Sequence, residues 1–567
     1  MMTYSIVEQP MGTARPLRII VVGAGASGLN VVRNVKEHMH NVEVQVYEKN
    51  AVVSGTWFEN SYPGCACDIP SHNYQYSWAP NPGWSEYYAS QKEIRAYFER
   101  AAREHGLLPA IQFGHKVVSA AWDEEAAVWR FKVENTETKE VKEDYGHFFI
   151  NASGYLNNWK WPTIPGLHSF AGPLLHSGAW DNSVSLEGKN VAVIGYGSSG
   201  IQLVTAIQPV VKSLTTFIRG PTWITAGFGS KYAAPGGLNF TFSEEQKAEF
   251  ANDPAAYLAY RKGVEHELSS RFKMLHKDTP EQAAAVAFSK SDMLRRLNQS
   301  EDKEKAKHLA ETLIPTFPVG CRRPSPGNGY LEALSAPNVN VITGREIARI
   351  EADGLVLVDE ATKKETKVVV DVIVCATGFD LSFRPRFPIV GRNGVDLKEA
   401  WKDRATAYLS MTPEDMPNYF VFLGPQAPVG HGSAIPIVEH LTKYMLKMVY
   451  KMQMEGYASA TPKPAAISEF VEHADTFLPR TAWAGKCRSW FKNGREDGPV
   501  TGLYPGSRLH WFHLLREPRY EDWEWTTVNK KNRWEYLGNG FSTMEGEGRD
   551  LTWYFDAPEK EYEAFVY

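Results

Sequence analysis

Residues 17–35, LRIIVVGAGASGLNVVRNV, decide the fold. An apolar run ends at Val22, small residues follow at Gly23, Gly25 and Gly28, and the chain then reads as a helix. Strand, tight turn and helix in that order bring backbone close to a pyrophosphate, which rests on the positive end of the helix. Three glycines alone say little. The next strand, VEVQVYE at 42–48, ends in Glu48, 20 residues after Gly28, where a carboxylate can accept hydrogen bonds from ribose hydroxyls.

The pattern returns at 190–207, NVAVIGYGSSGIQLVTAI, with Gly195, Gly197 and Gly200. Its second strand, SLTTFIR, ends in Arg219, 19 residues after Gly200, where a cation suits a ribose 2′-phosphate that a carboxylate would repel. The first site therefore asks for an unphosphorylated ribose and the second for NADPH, although Arg219 could also be a solvated surface arginine. Each unit closes on a matching element, FFINASGY at 148–155 and VIVCATGF at 372–379. The interval from Gly23 to Ala152 is 129 residues and that from Gly195 to Ala376 is 181, so the second unit carries extra material. SEEQKAEF, with a capping-box pattern at Ser243 and Gln246, and EDKEKAKHLAETL at 301–313 mark that material as helical.

The expected fold is α/β, with two Rossmann-like dinucleotide-binding domains and a helical insertion. Residues 1–156 and 384–567 form a split FAD-binding domain, 157–225 and 317–383 an NADPH-binding domain, and 226–316 the insertion. Two such sites in one chain imply electron transfer from NADPH to a second dinucleotide, most simply FAD.

Composition narrows the partners. The 567 residues are 43% hydrophobic and 22% charged with a net charge of −5, and no basic block is present, so neither nucleic acid nor an anionic membrane is expected. The partner expected is a small molecule. Five cysteines, Cys65, Cys67, Cys321, Cys375 and Cys487, are too few and too irregularly spaced for a disulfide framework, and their odd number favours a reducing compartment. The first residues lack a signal pattern and no apolar run approaches a membrane span, which makes a cytoplasmic protein the default expectation. His431, His440, His510 and His513 show no ligand spacing, and no metal site is expected. The oligomeric state stays open, a monomer included.

One further stretch, FAGPLLHSGAW at 170–180, carries a resemblance. Phe170, Gly172, His176, Trp180 and Asp181 match the fingerprint of Baeyer–Villiger monooxygenases, which sister flavin monooxygenases share only in part. GTWFENSYPGCACDIPSHNY at 55–74, GCRRP at 320–324, FVFLGPQAPVGHG at 420–432 and SWFKN at 489–493 extend it over most of the chain. CDIPSHNYQYSWAPNPGW and NRWEYLGNGFST look most like the fungal members.

The resemblance implies an FAD-containing, NADPH-dependent enzyme that captures O2 as a peroxyflavin and inserts one oxygen atom beside a ketone carbonyl. It implies that Gly23, Gly25, Ser27, Gly28, Glu48, Thr56, Trp57, Asp68, Tyr74 and Val117 line FAD, and that Tyr196, Gly197, Ser198, Ser199, Gly200, Ile201 and Gln202 hold the NADPH pyrophosphate. Arg322 joins Arg219 on the 2′-phosphate. Arg323, oriented by Asp68, is the catalytic cation, because a peroxide that attacks a carbonyl must stay deprotonated and a fixed positive charge helps it do so. Neighbours in an extended segment point to opposite sides, so the two arginines divide their targets. Trp490 closes over the nicotinamide nucleotide, the loop from Gln426 to Ser433 lines the substrate, and residues 170–180 act as a hinge rather than a catalytic centre.

Three other readings compete. The same chemistry could end in oxidation of an amine or sulfide; Cys65 and Cys67 near the flavin segment could suggest a disulfide reductase; or the scaffold could bind dinucleotides without catalysis.

Overall fold

The computed structural model describes residues 4–359, 361–552 and 555. Both glycine turns occupy the middle of a five-stranded parallel sheet, and the two sheets share one plan. The first runs Tyr419–Val421, Phe148–Asn151, Leu17–Val22, Val42–Tyr47, Ile111–Gln112. The second runs Leu174–His176, Val372–Cys375, Asn190–Ile194, Ser213–Phe217, Val339–Ile342. In each, the strand before the glycines lies between its successor and the closing strand, with Val22 opposite Asn151 and Ile194 opposite Cys375. Both closing strands are buried at every position, which explains their apolar runs, interrupted only by Asn151 at the end of the first.

Between its third and closing strands each unit adds a three-stranded antiparallel meander. In the first it is His115–Asp123, Val128–Asn135 and Val141–Gly146; in the second, Arg345–Glu351, Gly354–Asp359 and Glu365–Val369.

The extra material of the second unit is helical at Glu244–Asn252, Pro254–Ser270, Pro280–Leu297 and Lys303–Leu313. Ser243 and Gln246 make the reciprocal capping box that their spacing predicts, and Asp253 caps the second helix ahead of a proline at its first position. Val264 and Leu268 of that helix join the core of the first unit, whereas Met293, Leu297, Leu309 and Leu313 join that of the second. The insertion thus packs against both. Short strands at Ile224–Thr225 and Ser325–Pro326 pair across its base and bring the chain back just after Arg322 and Arg323.

Within the stretch 170–180, Leu174–His176 forms an edge strand of the second sheet. One expectation needs correction. The cysteines do make one disulfide, Cys321 to Cys487, across 166 residues, a separation no spacing pattern reveals. Among the described residues, no helix is long and apolar enough to cross a membrane.

Candidate functional site

The two glycine turns repeat at atomic detail. A Cβ on Gly28 would lie 2.0 Å from the Gly23 carbonyl oxygen, and one on Gly200 would lie 2.1 Å from that of Gly195, so neither helix could approach its strand with a side chain there. Gly197, which caps the helix Ser198–Ile207, has no atom within 4 Å of where a Cβ would stand. The space beside it is open at the positive end of a helix, with Ser198 and Ser199 in the first turn. Ile201 is buried in the core, so only its backbone can face that space.

Glu48 directly follows the strand Val42–Tyr47, almost fully buried, and aims at the first turn. Its carboxylate accepts the Ala24 N–H at 2.7 Å and the Asn50 N–H at 2.9 Å. Burial pushes its pKa up, against the two N–H groups that favour the charge. Ser27 lies in the first turn of the helix Ala26–His38, and Gly25 caps it. Across the turn, Thr56 and Trp57 open a short helix, and the Trp57 indole N–H donates to the Tyr74 hydroxyl at 3.1 Å. Open space at one cradle and a carboxylate at the ribose position of the other fit two dinucleotides. Val117 differs from the rest: its side chain is buried with Val22, Tyr47 and Val133, so only its backbone, beside a bulge, could face a ligand.

At the second ribose position Arg219 is exposed, and among the described residues it makes no hydrogen bond or ion pair. The Arg322 guanidinium lies over the Tyr196 ring at 5.2 Å and reaches the Tyr196 hydroxyl and the Pro221 carbonyl at 3.5 and 3.4 Å. Among the described residues, neither arginine has a carboxylate partner. Arg323 turns the other way. Its two terminal nitrogens donate to the two Asp68 oxygens at 2.5 and 2.8 Å, and its guanidinium lies 5.7 Å from the Phe228 ring centre. Burial disfavours the Arg323 charge, but the Asp68 carboxylate outweighs it and raises the pKa. Asp68 comes from the first unit and Arg323 from the second, so the pair spans the junction.

A second set of bonds spans the same junction, and sequence reasoning assigned it no such role. The Tyr62 hydroxyl donates to the Gln202 amide oxygen at 2.8 Å, and the Gln202 amide nitrogen donates to the Ala66 carbonyl at 2.9 Å. A Cβ on Gly64 would meet the Gln202 carbonyl at 2.7 Å. The Gln202 side chain, expected beside the pyrophosphate, is therefore engaged in joining the units. Cys65 and Cys67 are free thiols, and burial pushes Cys65 up to about 12, which makes both poor nucleophiles and disfavours disulfide chemistry.

The fingerprint residues are stitched to the closing strand of the second unit. Ser177 N–H donates to the Cys375 carbonyl, and the His176 ring lies 3.3 Å from the Thr377 hydroxyl while accepting the Gly178 N–H at 3.0 Å. Trp159 stacks on His176 at 4.6 Å and Trp161 meets it edge-on. Phe170 packs on the core behind the sheet, a Cβ on Gly172 would strike the Asp371 carbonyl at 2.5 Å, Trp180 packs against the second core, and the Asp181 carboxylate accepts the Ser183 N–H and hydroxyl.

Burial lowers His176 from an ordinary value near 6.5 to about 4. The unfolded ring gains a proton below about pH 6.5 and the folded ring only near pH 4, so stability is full above pH 6.5 and declines as pH falls through that window. His176→Gln is expected to shallow the fall of unfolding free energy between pH 6.5 and 4, measured by denaturant titration at a series of pH values. An unchanged slope would contradict the burial argument.

Trp490 is half-buried on the loop 485–498, with its ring 6.1 Å from that of Tyr155, which also stacks with Phe383 at 6.4 Å. The strand before the other candidate loop is Tyr419–Val421, shorter than its apolar run suggests. Gln426 is buried there, and the loop surfaces only from Val429 to Gly432. Burial and the nearby Arg508 charge lower His431 to about 3, leaving it a neutral acceptor for the Arg508 N–H.

Residues 16–233 match the model of the flavin-binding monooxygenase-like family. Over 95% of its length the chain is 39% identical to an FAD-binding monooxygenase, tazF, of Aspergillus terreus, covering 94% of that protein. It is 32% identical over 89% of its length to a Baeyer–Villiger monooxygenase of Streptomyces coelicolor, covering 91% of it. Among solved structures, a closed form of cyclohexanone monooxygenase superposes with a TM-score of 0.77 at 25% identity, over 91% of this chain and all of that one. The NADP+-bound cyclohexanone monooxygenase of Rhodococcus sp. Phi1 gives 0.76 at 26% identity, over 91% and 100% of the two chains.

Proposed function

The chain belongs to the FAD-binding monooxygenases of the Baeyer–Villiger family, and on that premise we propose how its own residues divide the work. It is an FAD-containing, NADPH-dependent enzyme that uses O2 to convert ketones to esters or lactones. The observation that carries the residue-level reading is the Asp68–Arg323 pair, a two-point contact from opposite units at the junction between the cradles. Flavin, when bound, supplies the transfer of electrons from NADPH to O2. Every other task falls to the chain.

Glu48 takes the ribose of FAD, and the turn at Gly23 to Gly28 takes its pyrophosphate; the turn from Tyr196 to Gly200 does the same for NADPH. Arg219 and Arg322, two cations with no carboxylate partner among the described residues, hold the 2′-phosphate. Arg323 carries a permanent charge that Asp68 fixes in direction, and it stabilises negative charge on oxygen as that oxygen approaches the carbonyl carbon. Asp68 is a positioning residue. Trp490 covers the nicotinamide and excludes water, and Val429 to Gly432 contributes to the ketone site. We assign the enzyme to the cytoplasm, where NADPH is supplied.

Two experiments test this. Arg219→Ala is expected to narrow the preference for NADPH over NADH by roughly 10- to 100-fold, the worth of one or two charged hydrogen bonds; an unchanged ratio of kcat/KM values would leave Arg322 as the sole anchor. Ketones, amines and sulfides offered separately should give esters from the ketones and no N-oxide from the amines. Predominant N-oxide formation would favour the heteroatom reading.

A further inference from the structure

The disulfide joins two places that the proposed NADPH chemistry needs to hold together. Cys321 immediately precedes Arg322 and Arg323, and Cys487 lies three residues before Trp490. The bond therefore ties the arginine segment to the Trp490 loop, with their Cα atoms 6.3 Å apart.

Little else fastens that loop outward. Ser489 N–H donates to the Arg495 carbonyl, Arg488 Nε to the Gly494 carbonyl, and Lys492 Nζ to the carbonyls of Gly485 and Glu496. Among the described residues, the hydrogen bonds of 486–498 all end within 485–502, and no ion pair leaves the loop. Phe491 roots its base in a small core with Leu275, Trp483 and Leu503. Toward the first unit it offers the Trp490 ring to Tyr155. A cleft separates Lys492 and Arg495 from Phe383 and Arg404 on the other flank. Among the described residues, the covalent bond is thus the one directional tether between this loop and the arginines.

We propose that Cys321–Cys487 is a thiol–disulfide exchange site that sets how firmly the Trp490 loop is held over the nicotinamide nucleotide. This rests on the roles given above to Trp490 and Arg322. Cys321 is fully buried and Cys487 nearly so, at 5% exposed, but Cys487 is flanked by exposed Lys486 and Arg488, whose charges draw a thiolate toward the less enclosed of the two sulfurs. A small-molecule thiolate attacks Cys487 sulfur, the S–S bond breaks, and Cys321 leaves as a thiolate and takes a proton. A second thiol then displaces the mixed disulfide, so two reductant thiols become one disulfide and both cysteines become thiols. A small-molecule disulfide such as oxidised glutathione drives the reverse. With the bond broken, the loop keeps its root and one aromatic contact but loses its link to the arginines.

The test uses full-length holoenzyme equilibrated with either reduced or oxidised glutathione. Differential alkylation and peptide mass spectrometry report the state of Cys321 and Cys487. NADP+ binding is followed by the change in flavin absorbance, and trypsin cleavage within Lys486–Arg495 reports loop release. The expected result is a disulfide in the oxidised protein, and on reduction about tenfold weaker NADP+ binding, a usual size for coupled sites, with faster loop cleavage and unchanged FAD content. Cys487→Ser should match the reduced enzyme and ignore glutathione.

Full alkylation of both cysteines in the oxidised protein would overturn the proposal, as would equal NADP+ affinity and cleavage in the two states. A response to glutathione that persisted in Cys487→Ser would also overturn it, moving the effect to another cysteine. Absence of NADP+ binding in both states would instead overturn the NADPH reading, while the alkylation pattern would still report the bond.

Discussion

Arg323→Ala keeps its FAD and loses ester formation by at least about 100-fold, the usual effect of removing one fixed donor aimed at developing negative charge. The FAD cradle is built from Gly23 to Gly28, Glu48 and the 55–74 segment, none of which needs the arginine to fold. Asp68 is left without its partner, but it is not fully enclosed, with 19% of its side chain exposed, and water can satisfy it. Arg323→Lys should recover only part of the activity, because one ammonium cannot hold both Asp68 oxygens in the same plane. Anaerobic flavin reduction and ester yield, measured on the same preparation, separate the steps. Wild-type ester turnover in Arg323→Ala would end the catalytic assignment.

The two cradles should also fail independently. In Gly28→Val and Gly200→Val alike, the new Cβ would stand about 2 Å from a carbonyl oxygen that helix packing holds in place. Gly28→Val should therefore purify without bound flavin. Gly200→Val should remain yellow yet no longer be reduced by NADPH, with the rate down by at least about 100-fold as the pyrophosphate site is lost. Dithionite should still bleach it. A colourless Gly200→Val, or one still reduced at the normal rate, would mean that the repeats do not serve separate nucleotides.

What could be read from sequence follows from how local each signal is. The two glycine turns, the carboxylate and the arginine after their second strands, and the Ser243 capping box each depend on residues within about one supersecondary unit. The closing strands were legible because complete burial leaves a short apolar run with no alternation. Leu174–His176 was not, since three residues at a sheet edge carry no periodicity. The meanders went unassigned for another reason: Val128–Asn135 does alternate, but Arg345–Glu351 is largely polar, so the repeat is visible only once both are folded.

The site itself was legible mainly through resemblance. Asp68 and Arg323 lie 255 residues apart, Tyr62 and Gln202 140, and Cys321 and Cys487 166, and nothing local in either partner announces the other. Such pairs arise only when two units dock. Gln202 shows the cost of transferring a motif without that docking: its place in the turn suggested the pyrophosphate, and its side chain serves the junction.

The most direct test of the central claim is product analysis with isotopically labelled O2. The purified yellow protein is incubated with NADPH and a panel of linear, cyclic and bulky ketones, and the products are examined by mass spectrometry. An ester or lactone carrying one labelled oxygen atom, with NADPH consumed in step, is the result expected. NADPH consumption that gives only hydrogen peroxide across the whole panel, with every ketone recovered unchanged, would contradict it.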